Sequence, residues 1–193
     1  MIRVKLGMLM LTGVDLTDAE LLHRFRAGDV ESFVLLHRRY SRALYLYART
    51  LEQDSSRSED LVQEAFVRLM RYDPDRLEDD ARAFLYAVVR NLIRDEARKS
   101  SFRRRTDPLI VALDPERSPV ESSRLVQLAE TVSGALEKLP EEQREAVVLK
   151  IYSGMTFAQI AALTGVSFGT VASRYRYAIE KLGEILADEQ VDR

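Results

Sequence analysis

The chain has no cysteine, which excludes disulfides and thiolate metal centres. It has two histidines, His23 and His37, both in an arginine-rich helical stretch, and a zinc site is not expected of them. No apolar run approaches the roughly 20 residues of a membrane span, so no membrane insertion is expected. Residues 1–14 place Arg3 and Lys5 before a short apolar patch. They lack the longer apolar core and small-residue cleavage site of a secretory signal. Met8 and Met10 are further candidate starts, and a cytoplasmic location is the expectation. A nucleophile–base set, a metal cluster and a phosphate-cradling loop are likewise missing from the sequence pattern. The expectation is therefore no enzyme, no cofactor, no metal and no small-molecule substrate. A net charge of −2 over 193 residues argues against a protein that coats nucleic acid unaided.

What is present is ordinary for a soluble globular chain, at 46% hydrophobic and 31% charged residues. The charge is unevenly spread. Seven basic residues face two acidic ones over residues 90–105, and five acidic residues face one basic one over residues 73–80. An acidic loop thus abuts a basic helix end.

Strand signals are almost absent, and helix signals recur. Thr17 and Glu20 form a capping box that opens a first helix toward Arg26. A second is expected over about residues 30–51, where Phe33, Leu36, Tyr40, Leu44 and Tyr47 recur at helical spacing. Ser56 and Glu59 form another capping box. The helix it opens carries Leu61, Val62, Ala65, Phe66, Leu69 and Met70 on one face, and Asp73-Pro74 ends it. A long helix over about residues 81–100 directs Phe84, Leu85, Val88, Val89 and Leu92 inward. Periodicity fails from Phe102 to Pro119, which reads as a flexible linker with Pro108, Pro115 and Pro119. Ser118, Pro119 and Glu121 restart a helix, and another opens at Pro140. The expected fold is all-α: a helical bundle over 15–101, a linker over 102–118 and a second helical domain over 119–187.

The last third has helix-turn-helix grammar. Thr156 and Gln159 form a capping box, and Ile160, Ala161 and Leu163 supply a buried face. Gly165 suits a left-handed turn position, and Ser167 caps the next helix. That helix presents Ser167, Thr170, Ser173, Arg174 and Arg176 as a reader for the major groove.

Two upstream helices carry polar stripes of their own. Asp60, Gln63, Glu64 and Val67 fall opposite the apolar face of the third helix. They read either as a solvated face or as a docking surface for a basic partner. On the long helix, Tyr86, Arg90, Asn91, Arg94 and Arg98 occupy polar positions. Arginines so spaced can track phosphates, Asn can bond base edges and Tyr can stack on an unpaired base. The plainer reading is cationic complementation of a helix C-terminus.

Taken together, these segments resemble the sigma-70 family of bacterial RNA polymerase initiation factors, in its two-domain extracytoplasmic-function (ECF) group. The segment from Ser58 to Phe66, SEDLVQEAF, is similar to the family's polymerase-binding helix. Residues 83–92, AFLYAVVRNL, followed by Asp95-Glu96, resemble the helix that reads and opens the minus-ten element. Residues 139–144, LPEEQR, and the stretch from Gly154 to Val171 resemble the domain that reads the minus-thirty-five element. The likeness runs from about Thr17 to Leu182 in the family's order. Phe84 stands where the family usually has Trp, Gln159 replaces a common Glu, and Ala172 replaces a longer polar residue.

The resemblance implies that the chain binds core RNA polymerase, directs it to promoter DNA and assists opening. It implies that Asp60, Gln63, Glu64 and Val67 contact the basic coiled coil of the clamp. Capture of an unstacked minus-ten base is assigned to the loop over 72–82 with the start of the next helix, near Asn91, while Arg90, Arg94 and Arg98 hold the backbone. Ser167, Thr170, Ser173, Arg174 and Arg176 would read the minus-thirty-five duplex, and an anti-sigma factor is a further implied partner. The alternative is a helix-turn-helix regulator that acts without core polymerase. It explains the last third but not the helix around Asp60.

Overall fold

The computed structural model describes residues 16–52, 54–77, 81–99 and 131–191. Among them every regular element is helical. Helices α1 (Asp18–Arg26), α2 (Val30–Leu51) and α3 (Ser55–Arg71) lead through a 3-10 turn, Pro74–Arg76, to α4 (Arg82–Lys99). Then come α5 (131–137) and α6 (Glu141–Val147), which runs on into a π-helical turn, Val148–Tyr152. Helices α7 (Phe157–Thr164) and α8 (Phe168–Val191) follow. The expected linker over 102–118 and the helix start at Ser118 lie outside the described residues.

The start of α1 follows its capping box. The Glu20 N–H donates to the Thr17 hydroxyl at 3.2 Å, and the Thr17 N–H donates to the Glu20 carboxylate at 2.8 Å. The start of α3 corrects the sequence reading. Its N-cap is Asp54, whose carboxylate accepts the Arg57 N–H at 2.9 Å. Asp caps as well as Ser, and Asp54 and Arg57 have the same spacing as Ser56 and Glu59. Ser58 settles the register: its hydroxyl turns inward and donates to the Glu52 and Asp54 carbonyls at 3.2 and 2.9 Å. Met70, expected inward, is 37% exposed at the end of α3.

A buried carboxylate ties the first helices to α4. Asp18 is 1% exposed and accepts from the Tyr40 hydroxyl, from Arg39 and, at 2.6 Å, from the Ala81 N–H. Several donors offset its desolvation, and a buried polar group without them would be costly. Ala81, at the start of α4, is therefore held at a fixed point.

The two helical groups share one core. Leu36, Leu44, Leu61, Leu69 and Leu85 of the first group form a continuous cluster with Leu149, Met155, Ile160 and Val171 of the second. A second cluster sets Leu46 of α2 among Leu136, Leu139, Val147 and Ala178. Along α2, residues 46–50 are all buried. An amphipathic helix with one covered side cannot bury five consecutive residues, because successive side chains point about 100° apart. Something must enclose this end of α2 all round, and α6 with its π-turn packs there. Full burial of one Leu contributes about 1.5–3 kcal/mol, so Leu46 alone makes the contact between the groups substantial.

Candidate functional site

Three polar surfaces were expected, on α3, α4 and α8. On α3 the expectation matches the geometry. Asp60, Gln63, Glu64 and Val67 are all exposed, while Leu61, Val62, Ala65, Phe66 and Leu69 are buried. Glu64 accepts from Arg68 Nε at 2.8 Å one turn on, and Asp60 lies 3.8 Å from Arg57. Both pairs are solvent-exposed, so each contributes about 1 kcal/mol or less and yields readily to a partner. Val67, at 38% exposure, gives the acidic stripe an apolar end.

On α4 the surface is divided. Asn91 and Arg94 are exposed, as a DNA-facing stripe requires. The Arg98 side chain lies outside the described residues. Arg90 is half-buried and bound to the C-terminal group. Its Nε donates to Glu145 Oε1 at 3.0 Å, and the Tyr47 hydroxyl donates to the same oxygen at 2.9 Å. The two side chains of the ion pair are 17% and 6% exposed. Burial pulls the Arg90 guanidinium down, but the hydrogen bond and charge of Glu145 outweigh it and hold the group above its usual value. Burial, and then the Glu145 charge, push the Tyr47 phenol well above its usual value.

Tyr86 corrects the sequence reading outright. It is not on a polar face: it is 0% exposed, with its ring 5.0 Å from the Tyr47 ring. Among the described residues its hydroxyl has no partner in hydrogen-bonding geometry. Ser153 and Arg82 favour its phenolate, but burial outweighs both and pushes the group up to about 12. Tyr86 cannot stack on a base while the C-terminal group covers it. The helical wheel of α4 showed only that Tyr86 lies off the Leu85–Val89 stripe, not that a second group of helices lies beyond.

The acidic loop holds a 3-10 turn capped by Asp73, whose carboxylate accepts the Asp75 N–H at 3.2 Å. His23 Nε2 lies 3.0 Å from Asp75, and Arg26 donates to the Tyr72 carbonyl at 2.8 Å, so α1 braces the loop. Tyr72 stacks on Phe84 at 4.3 Å between centroids. The large aromatic at position 84 thus packs under the loop.

The helix-turn-helix forms as its sequence predicts. The Thr156 hydroxyl accepts the Gln159 N–H at 3.2 Å, and Gln159 Oε1 accepts the Thr156 N–H at 2.9 Å. Gly165 takes the left-handed conformation at φ 76°, and an added Cβ would meet nothing within 4 Å among the described residues. Backbone conformation rather than crowding therefore favours glycine. The Thr170 N–H donates to the Ser167 hydroxyl at 3.1 Å, fixing the start of α8. Ser167, Thr170 and Arg176 are exposed, and Ser173 and Arg174 are half-buried on the same helix. The Arg176 guanidinium lies 4.9 Å over the exposed Tyr177 ring. The anchors Val171 and Ala178 face inward.

Sequence reasoning missed Tyr47 and Glu145 as polar partners. One signal was available for Glu145. It precedes Val148 and Leu149 by three and four residues, a carboxylate on the apolar face of its helix.

Comparison with known proteins covers both groups. Residues 36–103 match the family model Sigma-70 region 2, and residues 129–182 match Sigma-70, region 4. The chain is 33% identical to the ECF RNA polymerase sigma factor SigL of Mycobacterium tuberculosis, over 86% of this chain and 96% of that protein. It is 34% identical to SigM of the same organism, over 88% of this chain and 85% of SigM. Among solved structures, RpoE in complex with the anti-sigma factor NepR from Bartonella quintana matches at a TM-score of 0.61. That match is 25% identical and covers 88% of this chain and 99% of RpoE. CnrH in complex with the cytosolic domain of CnrY matches at a TM-score of 0.58. It is 30% identical and covers 89% of this chain and 97% of CnrH. The chain belongs to the sigma-70 family, in its ECF group.

Proposed function

We propose that this chain lends core RNA polymerase its promoter specificity. Asp60, Gln63, Glu64 and Val67 dock on the basic coiled coil of the clamp. Complementary charge there sets register and association rate more than raw affinity. Arg90, Arg94 and Arg98 hold the backbone of the non-template strand of the minus-ten element. The loop over 72–82, with the start of α4 and near Asn91, captures an unstacked base. Capture offsets an unstacking cost of a few kcal/mol. Carboxylates in that loop repel phosphate, which favours a base over the backbone as its occupant. Ser167, Thr170, Ser173, Arg174 and Arg176 read the minus-thirty-five duplex in the major groove. Working boundaries are 15–101 for the first domain, 102–118 for the linker and 119–187 for the second. An anti-sigma partner and a cytoplasmic location complete the reading.

The observation that carries this proposal is the exposed acidic stripe on α3 in the same chain as a capped helix-turn-helix. A regulator that never meets polymerase has no use for the first. The test mixes the chain with core polymerase and promoter-bearing genomic fragments and maps transcript 5′ ends. Discrete new starts that share two spaced upstream elements are expected. Core binding without starts would favour an adaptor, and neither binding nor starts would favour the plain regulator.

A further inference from the structure

Three contacts run from α1 to the segment between α3 and α4. At its entry, Arg26 Nη2 donates to the Tyr72 carbonyl at 2.8 Å. In the middle, His23 Nε2 lies 3.0 Å from Asp75 Oδ1, and an ionised carboxylate only accepts, so the ring N–H is the donor. At its exit, Asp18 accepts the Ala81 N–H at 2.6 Å. Asp18, Leu22 and Arg26 follow one another at four-residue steps along one stripe of the helix, and His23 lies one turn before Arg26. The contacts are thus spread over about 12 Å of a rigid rod. Leu21 and Leu22 are sealed in the core, and the Thr17–Glu20 capping box fixes the start of the helix. Helix α1 lies before residues 36–103, the stretch that matches Sigma-70 region 2.

The segment needs such support. Its regular part is a single 3-10 turn, Pro74–Arg76, and 3-10 turns have poorer hydrogen-bond geometry than an α-helix. Asp73 caps the turn from within, and Tyr72 stacks on Phe84 beneath it. Those contacts set the shape of the turn and its footing on α4. The contacts from α1 set where the Tyr72 carbonyl and Asp75 stand relative to the start of α4. Discrimination between bases depends on polar groups held to within about 0.5 Å, so a loop free to shift would still take a base but choose it less sharply. His23 and Arg26 are both exposed, and exposed polar contacts add little to overall stability, so fold stability alone explains them poorly.

We propose that Arg26 and His23 are positioning residues for promoter selectivity: from α1 they hold Tyr72 and Asp75 in the arrangement that favours one particular base of the minus-ten strand. This rests on the reading that the loop after α3 captures an unstacked base. It adds that the choice of base is set from a helix that does not itself hold DNA. A phosphate contact is the other role open to a cation at this place, but the Arg26 guanidinium is engaged with a main-chain carbonyl. The two roles separate in solution. A lost phosphate contact weakens binding to all sequences alike and makes the salt dependence shallower by about one counterion. A lost positioning contact blunts the preference at one base and leaves the salt slope alone.

The test uses core polymerase saturated with the full chain and a promoter taken from the mapped starts. Each minus-ten and minus-thirty-five position is changed in turn to the other three bases, and the rate of first-transcript formation is measured across a salt series. The parent is expected to prefer one base at one minus-ten position by about tenfold or more. His23→Ala with Arg26→Ala is expected to cut that preference about tenfold, with every other position within about twofold of the parent and the salt slope unchanged. His23→Gln with Arg26→Lys, which keeps an N–H donor at both places, is expected to restore most of the preference. A parental profile in the double alanine variant overturns the proposal and leaves base capture standing. Equal losses at every position, or a shallower salt slope, overturn it in favour of a structural or a phosphate role. A parent with no preference at any minus-ten position overturns base capture and this proposal with it. Should the double alanine variant fail to melt cooperatively, a parental profile in His23→Ala alone overturns the proposal instead.

Discussion

Helices α3 and α4 are neighbours in one bundle, and each carries a polar stripe, yet the two stripes have different fates. That of α3 is open: Asp60, Gln63, Glu64 and Val67 all meet solvent. That of α4 is half closed: Asn91 and Arg94 are open, Arg90 is paired with Glu145, and Tyr86 is sealed. The difference shows that a polar stripe is a statement about a helix's own bundle only. Whether it is a free surface depends on what the rest of the chain lays over it. Here the rest of the chain lays down the Glu145 carboxylate against Arg90 of α4.

The largest effect expected is on the open stripe. Asp60→Arg with Glu64→Arg should weaken core binding by about a hundredfold, on the order of 3 kcal/mol. Only exposed pairs with Arg57 and Arg68 are lost, so the melting temperature should hardly move. Anisotropy of labelled chain titrated with core, beside a thermal melt, checks both. A large drop in stability would mean that α3 is not merely a docking face.

The sealed side of α4 should show itself in alkali. The Tyr86 phenol is raised from 10.0 to about 12, so the fold favours the protonated form. The stability this contributes is fully present below pH 10 and is lost as pH rises through about 12. Two units correspond to about 3 kcal/mol. Urea midpoints across this window should fall, and Tyr86→Phe should fall less because only the Tyr47 contribution and other alkaline losses remain. Equal falls in both proteins would mean that Tyr86 is not sealed in solution.

Two arginines of α4, Arg90 and Arg94, should separate cleanly. Arg90→Ala leaves Glu145 buried with one donor fewer and should cost about 2 kcal/mol in stability. Arg94→Ala should stay within about 0.5 kcal/mol, since the residue is exposed. In promoter opening followed by permanganate reactivity, both should be impaired. Similar stability losses for the two would erase the contrast within α4.

The smallest expected effect lies in the helix-turn-helix. Thr156→Ala removes one half of a capping box and should cost about 1 kcal/mol. Chemical denaturation of the full chain measures it. The same substitution should loosen contact with the minus-thirty-five duplex only weakly, because Thr156 itself faces no base in this account.

Much of this was legible in the sequence for local reasons. Capping boxes at Thr17 and Thr156 and the left-handed Gly165 are decided within a few residues. The α3 stripe was legible because, among the described residues, it stays open to solvent. The rest depended on distant chain. Asp54 competed with Ser56 as a cap at equal spacing, and the inward turn of Ser58 chose between them. The π-turn at Val148–Tyr152, where the Ser153 N–H reaches the Val148 carbonyl at 3.2 Å, leaves no composition signal. Residues 46–50 of α2 defy any one-sided wheel because α6 and its π-turn pack on α2 as well as α2's own bundle. Tyr86 was misassigned because distant residues, Tyr47 and Ser153, lie beside it.

The contrast between α3 and α4 can be read in one labelling experiment. Glu64→Cys on α3 and Ile93→Cys on α4, beside Glu145 in a cleft, are placed singly in this cysteine-free chain. Alkylation rates are taken with and without core polymerase. The thiol at 64 is expected to react freely alone and to be protected by core, while the thiol at 93, on the half-closed side of α4, is expected to be slow in the free chain. A thiol at 93 that reacts as fast as that at 64 in the free chain, or no protection at 64 by core, would contradict the contrast.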